Sequence, residues 1–139
     1  MSVVLDASST LAWYFEDEVT PGADALMERV GREGAVVPTI WRYEVANGFQ
    51  TAVRRKRIEP AYRDASLADL RLMPIELDRA GDDEVWHAML NLADRFGLTL
   101  YDAAYLELAH RRGQPLATGD RALAAAARSL SVELVDPLS

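Results

Sequence analysis

Apolar residues in this chain follow two rhythms. Short runs of three or four, several rich in valine, alternate with longer stretches in which apolar positions recur every three or four residues. The first rhythm predicts buried strands and the second amphipathic helices. Val3-Val4-Leu5 is the first run; Ala35-Val36-Val37, Pro74-Ile75-Glu76-Leu77, Leu116-Ala117-Thr118 and Val132 to Val135 follow it. Between them, Ser9 to about Phe15 reads as a short helix ended by Glu16-Asp17-Glu18. Thr20-Pro21 opens a second, with Thr as cap and Pro at the first helical position, and Gly31 and Gly34 close it. A longer helix runs from Pro38-Thr39 to about Arg57 on a stripe of Trp41, Val45, Phe49, Ala52 and Val53, and Pro60 starts another through Leu72. Asp82-Asp83-Glu84 place negative charge where the next helix begins, which its dipole favours, and Gly97 ends it. Thr99 to Arg112 and the alanine-rich Asp120 to Ser129 are the last two helices.

Strands that alternate with helices from end to end call for a parallel sheet covered by helices on both faces. No internal repeat, low-complexity tract or linker interrupts the pattern, so residues 1–139 are expected to form one α/β domain.

Composition narrows the setting. No apolar run approaches the roughly 18 residues of a membrane span. No basic region precedes an apolar stretch at the N-terminus, which argues against a signal peptide. The chain has no cysteine, hence no disulfide and no thiolate zinc site, and a cytoplasmic protein is expected. The formal net charge of −7 argues against simple coating of nucleic acid by a basic surface. Acids that hold a divalent cation would change that, because the metal cancels charge where a phosphate approaches. The basic run Arg54-Arg55-Lys56-Arg57 sits at a helix end, where it either contacts a nucleic-acid backbone or is simply solvated while favouring the helix dipole.

Four acids carry the candidate chemistry. Asp6 follows the first strand directly, and Asp120 follows Leu116-Ala117-Thr118-Gly119, so each stands where a strand hands over to a helix. Asp is also a favoured N-cap, and either acid alone reads equally as a capping residue. Carboxylates at the C-terminal ends of two strands in one small sheet, however, face the crevice where open α/β sheets bind ligands. Asp102 lies in the first turn of its helix, either as part of a variant Thr99-x-x-Asp102 capping box or as a site acid. Tyr105, Leu106 and Ala109 follow on the same face, and a carboxylate on so apolar a stripe needs a metal, a cation or a proton. Glu44 sits at the edge of its helix's apolar stripe, a position where a solvated glutamate is the usual outcome; the small Gly48 one turn on leaves room beside it. His87 and His110 are isolated, and the sequence has neither GxxxxGK[ST] nor GxGxxG. Carboxylate oxygens without His or Cys suit Mg²⁺ or Mn²⁺, and such a metal activates water for attack on phosphorus. The implied chemistry is hydrolysis of a phosphate ester.

In order, Val4-Leu5-Asp6-Ala7-Ser8, Trp41-Arg42-Tyr43-Glu44-Val45-Ala46-Asn47, Leu100-Tyr101-Asp102-Ala103-Ala104-Tyr105-Leu106-Glu107-Leu108-Ala109 and Leu116-Ala117-Thr118-Gly119-Asp120 resemble the four motifs of PIN-domain ribonucleases. The closest likeness is to the VapC toxins of bacterial toxin–antitoxin pairs, and it covers essentially the whole chain. The resemblance implies a three-layer α/β/α domain with a small parallel sheet. It also implies an acidic pocket for Mg²⁺ or Mn²⁺ formed by Asp6, Glu44, Asp102 and Asp120, with Ser8 and Thr118 at the supporting hydroxyl positions. It further implies cleavage of single-stranded parts of structured RNA such as tRNA or ribosomal RNA, leaving 5′-phosphate ends. A homodimer and a small VapB-like antitoxin that binds beside the pocket are the implied partners. One departure stands out: many PIN domains carry a further acid shortly after the fourth motif, where this chain has Arg121-Ala122-Leu123. Two rival readings remain, a phosphatase with Asp6 as covalent nucleophile and a PIN-like module that binds RNA or protein without cutting. The first usually wants a second acid two residues on, where Ser8 stands.

Overall fold

The computed structural model describes residues 1–138. Five strands form one parallel sheet: β1 (Val3–Leu5), β2 (Ala35–Pro38), β3 (Ile75–Asp78), β4 (Leu116–Ala117) and β5 (Leu134–Val135), in the order β3-β2-β1-β4-β5. Seven helices connect or cover them: α1 (Ala7–Leu11), α2 (Pro21–Glu33), α3 (Ile40–Arg54), α4 (Pro60–Leu70), α5 (Leu90–Phe96), α6 (Leu100–Arg112) and α7 (Arg121–Ser129). This is the α/β/α arrangement that the alternating pattern predicts. Val3, Val4 and Leu5 of the central strand are wholly buried, as a strand covered on both faces must be. Among the described residues no helix is long and apolar enough to cross a membrane.

Several elements are shorter than their hydrophobic spacing suggests, and local hydrogen bonding says why. The first helix stops at Leu11, because Trp13 and Tyr14 donate their amides three residues back and tighten the chain into turns. The third ends at Arg54, where Lys56 takes a left-handed φ of 58° and Arg57 N–H reaches back to the Ala52 carbonyl. That is a Schellman close without glycine. In the second helix Gly31 is an interior residue, and only Gly34 terminates it.

The helix expected over residues 82–96 is broken into three pieces. A 3₁₀ turn (Ala80–Glu84) and a π-helical turn (Val85–Met89) precede α5. The first piece is tied to the end of β3, since Gly81 N–H donates to Asp78 Oδ2 and Thr39 Oγ1 to Asp82. A regular helix entering there would have to break those bonds.

The helix α6 lies against the sheet, with every residue from Ala103 to Ala109 buried. It is anchored at its C-terminal end by charge. Arg111 donates to Glu107 Oε1 at 2.7 Å and to Asp78, while Arg112 reaches Asp78 at 3.1 Å and Glu76 at 3.2 Å. Burial works to raise the Asp78 carboxyl, but Arg111 and Arg112 together hold it below its ordinary value.

Candidate active site

Strand order reverses between β1 and β4, since the chain winds one way through β2 and β3 and the other way through β5. In open α/β sheets such a reversal opens a crevice at the C-terminal strand ends. Asp6 follows β1 and Asp120 follows β4, so both acids stand on its lip.

Both are helix caps as well. Asp6 Oδ1 accepts from Ser9 N–H at 2.8 Å and from the Ser8 hydroxyl at 3.2 Å. Asp120 Oδ1 accepts from Leu123 N–H at 2.8 Å, and Thr118 Oγ1 accepts from Asp120 N–H at 3.0 Å. Capping engages one oxygen of each carboxylate, so the capping reading and the site reading are compatible. Ser8 and Thr118 touch the acids that their positions suggested.

Glu44 arrives from α3 and Asp102 from α6. A hydrogen-bond relay fixes α3 against the end of β1: Trp41 Nε1 donates to Thr10 Oγ1 at 3.0 Å, and the Thr10 hydroxyl donates to the Asp6 carbonyl at 2.9 Å. Glu44 follows Trp41 by three residues and is half-buried. The Tyr105 hydroxyl donates to Glu44 Oε1 at 2.6 Å. The solvated glutamate that position alone suggests is therefore not what forms. Nor does Gly48 leave open space, because a Cβ there would lie 2.3 Å from Leu11 Cδ1. The missing side chain instead lets α1 close onto α3. Asp102 sits in the first turn of α6, where Thr99 Oγ1 accepts its amide at 3.1 Å.

These carboxylates act on one another. Burial raises the Asp6 carboxyl, opposed by the hydroxyls of Ser9, Thr118 and Ser8 and by the Ser9 amide. Glu44 is raised by burial and by the charge of Asp6, against the Tyr105 hydrogen bond. Asp102 is raised by burial and then by the charges of Asp120, Glu44 and Asp6 in that order. The four acids thus share one electrostatic neighbourhood, and among the described residues no Lys, Arg or His forms an ion pair with any of them. Negative charge gathered without a partner is costly and invites a cation.

The donor set answers which kind. It is carboxylate and hydroxyl oxygen throughout, which suits a hard ion such as Mg²⁺ or Mn²⁺. Among the described residues, no three acidic or histidine side chains stand so as to hold an ion directly. A cation bound among these acids would therefore have to be held partly through water.

Two features escape sequence reading. Tyr105 looks like one more apolar stripe residue, yet its hydroxyl holds Glu44; its place three residues after Asp102 on one helix face was the available signal. In the basic run, Arg57 is engaged by Asp17 at 2.5 Å and Glu18 at 3.0 Å and lies over the Phe15 ring, while Arg54, Arg55 and Lys56 remain exposed.

Residues 3–129 match the family model described as PIN domain. Ribonuclease VapC3 of Pyrobaculum aerophilum is 32% identical over 124 residues, which cover 89% of this chain and 93% of that protein. Among solved structures, the crystal structure of PAE2754 from Pyrobaculum aerophilum superposes with a TM-score of 0.71 at 23% identity, covering 99% of this chain and 84% of that one. At that identity the second likeness bears on the fold alone.

Proposed function

The chain belongs to the PIN-domain family, and on that premise we propose that it is a metal-dependent endoribonuclease acting as the toxin of a type II toxin–antitoxin pair. The observation that supports this reading is that Asp102, near the reversal point of the sheet, feels the charges of Asp120, Glu44 and Asp6, and that none of these acids is ion-paired among the described residues. A scaffold has no use for such a cluster, and a phosphodiester hydrolase does.

Asp6, Asp102 and Asp120 are the acids that would hold Mg²⁺ or Mn²⁺, directly or through water, with Glu44 beside them. When bound, the cation lowers the pKa of water and offsets charge on the phosphate. The protein's own contribution is orientation. Ser8 holds one carboxylate oxygen of Asp6, while Thr118 accepts from the Asp120 backbone amide and Leu123 N–H holds the Asp120 carboxylate. Tyr105 fixes one oxygen of Glu44 and leaves the other to bind the cation or to orient the attacking water. Asp6 is buried and caps α1, which suits a ligand better than a covalent nucleophile.

The substrate class in this reading is a single-stranded loop of a structured RNA, tRNA or ribosomal RNA, recognised through shape and unstacked bases. Arg54, Arg55 and Lys56 are free to meet its backbone; Arg57 is committed elsewhere. A small VapB-like antitoxin is the regulating partner. Trp86 and Leu90, 82% and 42% exposed, give the segment before and into α5 an apolar surface that supports a homodimer. The whole chain acts as one cytoplasmic domain.

The test is incubation of purified protein, beside Asp6→Asn, with total cellular RNA and Mg²⁺ or Mn²⁺, followed by end mapping. The expected result is discrete cuts with 5′-phosphate ends, blocked by chelator and missing in the variant. Binding without cutting would point to a non-cleaving module.

A further inference from the structure

Two tyrosines precede the acids by one residue each, Tyr43 before Glu44 and Tyr101 before Asp102. Both are largely exposed, 68% and 56%. They line one cavity of about 240 Å³ between the first turns of α3 and α6. Its walls are apolar, from Ile40 and Leu100 on those helices and from Val85 and Met89 on the π-helical turn. Asp78 and Glu107 also line it but are both paired with Arg111, so Thr39 and Asp82 supply its available polar edge, where the Thr39 hydroxyl donates to Asp82 Oδ1 at 2.7 Å; among the described residues Asp82 Oδ2 has no hydrogen-bond partner.

Neighbouring residues on a helix point about 100° apart. The cavity therefore lies one helix corner away from Glu44 on α3 and from Asp102 on α6. Its link to the acids is the chain itself, since Tyr43 and Tyr101, which line it, are the immediate neighbours of Glu44 and Asp102.

We propose that the cavity is a base-binding subsite of the nuclease described above. It takes one unstacked base next to the cleaved phosphate, held against the rings of Tyr101 and Tyr43. Asp82 Oδ2 accepts a hydrogen bond from an exocyclic amino group, as acidic side chains do from cytosine N4. The subsite thereby favours adenine, cytosine or guanine over uracil, the RNA base with no such group. The idea rests on the nuclease reading and adds a specificity determinant to it.

The experiment uses 5′-labelled hexamers of A, C or U. Anisotropy is measured in EDTA, then cut sites are mapped with Mn²⁺, for the wild type, Tyr101→Ala, Tyr101→Phe and Asp82→Asn. The wild type is expected to bind the A and C hexamers more tightly than the U hexamer. Tyr101→Ala should weaken that binding by between roughly 5- and 160-fold, the range for loss of one base–aromatic stack. Tyr101→Phe should retain affinity, and Asp82→Asn should narrow the gap to U while still binding. Because both side chains are exposed, an unchanged thermal melt is expected for each variant.

Three results overturn the proposal. If the wild type cuts RNA but Tyr101→Ala keeps its affinities and cut sites, the subsite is absent and the nuclease reading survives. If Tyr101→Ala instead splits a dimer in sedimentation while base preference is unmoved, the tyrosines serve contact between copies. If the wild type neither binds nor cuts any RNA, including total cellular RNA, both readings fall.

Discussion

Replacing Arg111 by Met tests whether charge fastens α6 to the edge of the sheet. The Asp78 and Glu107 side chains are 3% and 6% exposed, and Arg111 bonds to both. Removing one partner of a buried pair typically costs about 3–5 kcal/mol. Here Arg112 still holds Asp78, and Arg111 itself is 32% exposed, so solvent screens part of the pair. Methionine also keeps most of the packing of the arginine stem. The expected loss is therefore about 2–3 kcal/mol, or roughly 6–12 °C in melting temperature for a chain of this size. Urea denaturation at neutral pH measures it. In a Glu107→Gln background the same substitution should cost clearly less, because Glu107 then has no charge to strand.

The pH dependence has a definite sign. In the wild type Asp78 is held below its ordinary value, so its contribution is full above about pH 4 and is lost only as pH falls further. In the variant, burial faces one arginine fewer, and the carboxyl titrates higher. The gap between the two proteins should shrink as pH drops from 6 toward 4. A deficit below about 0.5 kcal/mol at pH 7, within the range of an ordinary surface substitution, would refute the argument. So would a deficit that does not change with pH.

Asp102→Asn should abolish cleavage and yet, in chelator, raise stability by about 0.5–2 kcal/mol, because it removes a charge repelled by Asp120, Glu44 and Asp6; a lower melting temperature would contradict the crowded-charge picture. Tyr105→Phe takes from half-buried Glu44 its only hydrogen-bond donor among the described residues and should cost about 1–2 kcal/mol in denaturant titration. A Glu44→Gln/Tyr105→Phe double variant should lose less than the sum of the singles. Gly48→Ala gains about 1 kcal/mol of helix propensity but drives a methyl into Leu11, an overpacking worth about 1–3 kcal/mol. Its net effect should be destabilising, and in a Leu11→Ala background the sign should reverse.

What could be read from the chain depended on how local its cause was. The strand Val3–Leu5 with an acid behind it and the Thr20-Pro21 helix start are written in consecutive residues. So is the close of α6 at Gly113, where a left-handed φ of 63° is needed. Asp6 and Asp120 were legible as strand-end acids for the same reason. The state of Glu44 was not, because the hydroxyl that holds it belongs to Tyr105, on another helix. The same holds for Asp78, which reads as the polar end of a strand until Arg111 and Arg112 arrive from α6. The break at residues 80–89 comes from bonds to Asp78 and Thr39, which no periodicity within the segment records.

The adjacency of β1 and β4 has a consequence in time. During synthesis Asp6 leaves the ribosome more than a hundred residues before Asp120, and the strand that completes its crevice comes with the later one. A nascent chain therefore carries half a pocket, with β1 lacking the neighbour that buries one of its edges. A pocket that needs both acids cannot form before residue 120 has left the ribosome.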